Sequence, residues 1–150
     1  MSFDIYLIAS TATPPPAAFQ RDVRAAIESA GGRVSSDGEL VTGPDGFQFE
    51  MYGGGNSFSL TDLTPSVCKI VFATAQRTNA YIVTAGGGDL PTLKVDGTAG
   101  RPKPGQSGGL APIHLVVDSR SLCAKLGKGF EVWSGYANEV RRAVSRGSAR

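Results

Sequence analysis

A chain of 150 residues is the length of one ordinary domain and is long enough to bury a core. Its 41% hydrophobic and 19% charged residues sit near globular norms, while 20 glycines and 9 prolines announce many turns. A net charge of +2 gives no global pull toward nucleic acid or an anionic membrane, and no run approaches the roughly twenty apolar residues of a membrane span.

The opening MSFDIYLIAS alternates Phe3, Ile5 and Leu7 with Asp4, Tyr6 and Ile8, the period-two signature of a strand. Its apolar stretch is short, contains Asp4 and lacks a basic leader, so it does not read as a signal peptide, and the cytoplasm is the expected location. Pro14, Pro15 and Pro16 then turn the chain or open a helix. Phe19, Val23, Ala26, Ile27 and Ala30 form one apolar stripe, with Gly31 and Gly32 as the C-cap, so this helix covers one face of a sheet.

From Arg33 to Leu60 the chain reads as a meander. Asp37-Gly38 and Asp45-Gly46 are hairpin-type dipeptides, Gly53 to Asn56 is a longer turn, and the strands are Glu39–Thr42, Phe47–Tyr52 and Ser57–Leu60. Phe47, Phe49 and Met51 share one face of the second strand, leaving Gln48, Glu50 and Tyr52 on a wet face. Thr64 as N-cap and Pro65 at the first helical position start a second helix, with Leu63 placed to staple onto Cys68. Ile70, Val71 and Phe72 favour a strand instead, but the start signals and the three-and-four spacing of Val67, Ile70, Val71, Thr74 and Ala75 favour helix. Tyr81, Ile82 and Val83 form a short strand that Gly86, Gly87 and Gly88 end.

Val95 to Pro112 resembles a linker, a disordered segment or mobile flap carrying Arg101 and Lys103. Ile113, Leu115 and Val117 mark one more strand. Ser119 is placed to cap a short helix bearing Leu122, Cys123 and Leu126, which Gly127 closes. A last helix carries Phe130, Trp133, Tyr136, Ala137, Val140 and Val144, with Arg141, Arg142 and Arg146 suiting its C-terminal dipole. Two cysteines, Cys68 and Cys123, are too few for a disulfide framework or a thiolate zinc site, and both read as reduced and helical. The expected fold is α+β. A mostly antiparallel sheet of five to six strands has two helices on one face, within one domain of core (1–92), flexible loop (95–112) and strand-helix-helix extension (113–150).

Candidate chemistry is sparse. The glycines of Thr84 to Asp89 follow a strand but open no helix and lack a Walker lysine, so a turn is the better reading than a phosphate loop. His114 is the only histidine, which leaves Cys123–His114 as an isolated nucleophile–base candidate and gives no metal set. Asp4, Glu50 and Asp89 have no acid–base spacing, and Arg141, Arg142, Arg146 and Arg150 read as dipole complement and solubility rather than phosphate contacts. No catalytic residue, cofactor or metal is expected.

Residues 1–94 carry 6 basic and 9 acidic groups, residues 95–150 carry 9 basic and 4 acidic. The N-terminal part thus offers an acidic, tyrosine-bearing sheet face of Asp4, Tyr6, Gln48, Glu50 and Tyr52 for binding a protein partner. The opening MSFDIYLI, the helix ending in a double glycine, the GPDGFQFEMY hairpin and the run VCKIVFATAQRTNAYIVTAGG together resemble the immunity-type proteins that bacteria encode beside secreted toxins, over residues 1–90. That resemblance implies a cytoplasmic, non-catalytic protein that binds and blocks a cognate toxin domain; the class shares no functional residues to carry over. Competing readings are a small-ligand or enzymatic domain with a pocket under the 95–112 loop, and a structural subunit that oligomerises through the Trp133 helix.

Overall fold

The alternation of Phe3, Ile5 and Leu7 becomes the inner strand on which the molecule is assembled. A computed structural model describes residues 2–84, 91–102 and 112–148. In it β1 (Phe3–Ile8) leads to helix α1 (Pro16–Ser29), then to β2 (Arg33–Val34), β3 (Leu40–Thr42), β4 (Gln48–Tyr52) and β5 (Ser57–Leu60). Helix α2 (Pro65–Thr78), β6 (Tyr81–Thr84), β7 (Thr92–Val95), β8 (Ile113–Val116) and helix α3 (Ser119–Ser148) follow. The fold is α+β, with eight strands in one mixed sheet ordered β2-β3-β4-β5-β1-β6-β7-β8. Every ladder is antiparallel except β7 with β8.

Local chemistry accounts for the helix ends. The Gly32 N–H donates to the Ile27 carbonyl and the Gly31 N–H to the Glu28 carbonyl, a Schellman closure that needs the positive φ of +87° at Gly31. On α2 the Thr64 hydroxyl accepts from the Val67 N–H at 3.2 Å, Pro65 takes the first position, and Asn79 ends the helix in the left-handed conformation at φ 55°.

All three helices pack on the same face of the sheet. Phe3 and Ile5 of β1, Phe58 and Leu60 of β5, and Ile82 of β6 are fully buried with Val23 and Ile27 of α1, Ile70 and Val71 of α2, and Leu122 and Leu126 of α3. Phe3 meets Phe130 of α3 edge-on at 5.6 Å between ring centroids. The even-numbered residues of β1 therefore point to the other face, which no helix covers among the described residues.

Four sequence expectations change. The sheet has eight strands, not five or six, because Arg33–Val34 and Thr92–Val95 each add one that no periodicity marks. Cys68 and Cys123 lie on helices as expected but are not reduced: they form a disulfide from α2 to α3, with Cα atoms 5.4 Å apart. Gly127 closes nothing, since the 30-residue α3 runs straight through it and a Cβ there would meet nothing within 4 Å. Its cap is Asp118 rather than Ser119. The Asp118 carboxylate accepts from the Ser121 N–H at 2.7 Å while the Ser121 hydroxyl accepts from the Asp118 N–H at 3.2 Å, a reciprocal capping box.

Candidate functional site

Register places the expected binding residues in two rows across the bare face. Leu40, Glu50, Ser59 and Asp4 form one row across β3, β4, β5 and β1. Tyr52, Ser57 and Tyr6 form the next, continuing to Val83 of β6. With strands about 4.8 Å apart, Asp4 and Glu50 stand roughly 10 Å from one another, as do Tyr6 and Tyr52. Between each pair lies only a serine. The result is a trough along β5, floored by Ser57 and Ser59 and walled by one tyrosine and one carboxylate on each side.

Electrostatics sharpen the picture. The exposed Tyr52 hydroxyl donates to the Glu50 carboxylate. That bond, with partial desolvation and the negative charges of Glu50, Glu39 and Asp4, holds Tyr52 above the ordinary tyrosine pKa. Glu39 adds its charge from outside the trough: its carbonyl accepts from the Met51 N–H at 2.8 Å, so it stands opposite Met51, and strand alternation turns it away from the row of Leu40 and Glu50. The Asp4 carboxylate accepts from the Ser2 hydroxyl at 2.8 Å. Gln48 lies outside the trough, one row further along β4, where its side-chain amide donates to the Thr42 hydroxyl at 3.3 Å.

The other candidates do not converge on this face. The Arg101 N–H donates to the Thr11 hydroxyl and its carbonyl accepts from the Thr11 N–H, so Asp96–Pro102 is bonded down onto the loop after β1. Beneath it Lys94 is buried, donating to the Asn79 carbonyl at 3.2 Å, the Thr98 hydroxyl at 2.6 Å and the Ala99 carbonyl at 3.1 Å, with its ammonium 5.0 Å from the Tyr81 ring centroid. Desolvation pulls its pKa below the ordinary lysine value. The shape of this site is structural: every proton of the ammonium is already placed. Cys123 is bonded to Cys68 and so offers no nucleophile to His114. Lys103, Gly86–Gly88, Asp89 and Arg150 lie outside the described residues, as do the side chains of Trp133, Tyr136 and Arg146.

A cleft of about 650 Å³ opens at the end of β1, lined by Leu7, Ile8, Pro14, Phe19, Gln20 and Asn56 among others. It has no charged side chain in its walls and takes no residue from 95–112. Among the described residues no group of three or more His, Cys, Asp or Glu is placed to hold a metal, and no helix is long and apolar enough to cross a membrane. Comparison with protein-family models, curated proteins and solved structures finds no match to this chain.

Proposed function

We propose that this is a non-catalytic interaction protein that receives a basic side chain of a partner protein in the serine-floored trough on its bare sheet face, acting as an immunity-type protein against a cognate toxin effector. One observation carries the reading: two tyrosines and two carboxylates flank small serines on a sheet face that no helix covers among the described residues. A lysine or arginine entering over Ser59 sits about 5 Å from both Asp4 and Glu50, a spacing set by the strands, while the tyrosine rings supply apolar area beside it. The same acids repel phosphates, which argues against nucleic acid as the ligand of this face.

The test is whether a toxin-like effector domain is encoded beside this gene and is captured by this protein, followed by calorimetry on the pair; a metabolic neighbourhood with no such effector counts against the reading. Replacing Tyr52→Ala together with Glu50→Ala should weaken binding at least about tenfold while moving the melting temperature by no more than about 2 °C, because both side chains are solvent-facing. Unchanged affinity rejects the trough.

The Cys68–Cys123 bond bears on where capture takes place. Disulfides persist in oxidising compartments and are rare in a reducing cytoplasm, so we favour an oxidising compartment over the cytoplasmic placement read from the sequence. Thiol alkylation in intact cells separates the two, since two alkylated cysteines would restore the cytoplasmic reading.

A further inference from the structure

The sheet has two ends, and they are built differently. At one end β2 is two residues long and carries the charge of Arg33, a short and guarded edge of the kind that resists further pairing. At the other end β8 has no outer neighbour among the described residues. It also lacks the usual defences. Ile113, Leu115 and Val117 are 42%, 60% and 68% exposed, with no charge among them.

The backbone says which groups face outward. The Thr92 N–H donates to the Pro112 carbonyl and the Asp96 N–H to the Val116 carbonyl. Alternate residues of a strand serve opposite neighbours, so His114 turns toward β7 with Pro112 and Val116. Ile113, Leu115 and Val117 turn their N–H and C=O to the open edge. Of these the Val117 N–H is already taken, donating to the Ser121 hydroxyl at 3.1 Å. Among the described residues, what remains is one complete donor–acceptor set on Ile113 and one on Leu115.

We propose that β8 pairs antiparallel with β8 of a second copy of this chain, about a two-fold axis through His114. In that register Ile113 of each copy faces Leu115 of the other, and the two pairs exchange four backbone hydrogen bonds that use every group left open on those residues. A register centred on Leu115 would instead call on the Val117 N–H, which Ser121 holds. The side chains agree with the backbone: each Ile113 lies beside a Leu115 on the bare face, giving two apolar cross-strand pairs with no charge opposite a like charge. Because β2 cannot continue the ladder, pairing stops at two copies in a closed, isologous dimer. Both troughs then lie on one continuous sheet face.

His114→Cys tests the register directly. The two His114 positions face each other as a non-hydrogen-bonded pair with Cα atoms about 4.5 Å apart, close enough for a disulfide. With Cys68 and Cys123 bonded to one another, the introduced thiol is the only free one in the chain. Oxidation should link it into a dimer, while Leu115→Cys, whose copies lie two residues out of register, should link poorly. In sedimentation equilibrium the wild-type chain should reach twice the 15.6 kDa of one copy. Leu115→Lys, at an exposed position that leaves the monomer folded, should raise the dimer dissociation constant at least about tenfold. A wild-type chain that sediments as a monomer at its highest soluble concentration overturns the proposal and leaves the edge to a strand of a different protein. So does a dimer indifferent to Leu115→Lys, or one that links through Leu115→Cys but not through His114→Cys.

Discussion

Reduction of the Cys68–Cys123 bond is the perturbation whose size follows most directly from the structure. The bond joins helices α2 and α3 across 55 residues of sequence. A loop of that length, left open in the unfolded chain, adds about 4 kcal/mol to the conformational entropy that folding must overcome. For a chain of this size that corresponds to a fall in melting temperature of about 8–16 °C. A phosphine reductant is preferable to substitution, because it leaves both sulfur atoms in place and opens no cavity beside the buried Cys68. The melt is followed by far-ultraviolet circular dichroism with and without reductant, with free thiols counted by alkylation and mass spectrometry in each sample. The reasoning is refuted if the reduced protein, carrying two alkylated thiols, melts within about 2 °C of the oxidised one.

The carboxylates of Asp37, Asp45 and Asp118 are held below the ordinary aspartate pKa of 3.8, first by hydrogen bonds with Ser35, Ser66 and Ser121 respectively. Depressed folded-state values mean that their contribution is present above 3.8 and is lost as pH falls through the folded values, so urea midpoints should drop between about pH 4 and pH 2. Asp118→Asn should flatten that drop, and an unchanged slope would remove Asp118 from the account. Asn79→Ala should cost about 2 kcal/mol, from left-handed strain together with the lost side-chain bonds to the Ala99 N–H and the Ala12 carbonyl, whereas Asn79→Gly should recover the strain portion. Equal losses for the two variants in chemical denaturation would place the whole cost in the side-chain bonds. Gly55 has φ +110°, and a Cβ there would lie 2.5 Å from the buried Val23 of α1, so Gly55→Ala should destabilise by about 2 kcal/mol or more. A wild-type melting temperature in that variant would mean that the β4–β5 turn does not rest on α1.

Local patterns determined much of this molecule. The period-two alternation in Phe3–Ile8 and Phe47–Tyr52, the proline starts of α1 and α2, and the glycine stop at Gly31 each rest on chemistry confined to a few neighbouring residues, and each reads correctly without a fold. Polarity alone also picked out Asp4, Tyr6, Glu50 and Tyr52 as residues of a wet face. Tertiary structure decided how they stand to one another. Tyr6 and Tyr52 are 46 positions apart in the chain, and only the insertion of β5 between β1 and β4 sets them on either side of Ser57. Two-residue β2 and the buried, lysine-bearing β7 carry too little periodicity to announce a strand; long-range ladders and the loop folded over Lys94 make them one. The continuity of α3 through Gly127 is likewise a packing result, since Leu122, Leu126 and Phe130 on either side of it anchor to the same core and outweigh the propensity cost of a glycine. The cysteine pairing is the clearest case. A disulfide depends on two Cα atoms coming within several ångströms of each other, and nothing in the local sequence of either helix encodes a distance to the other.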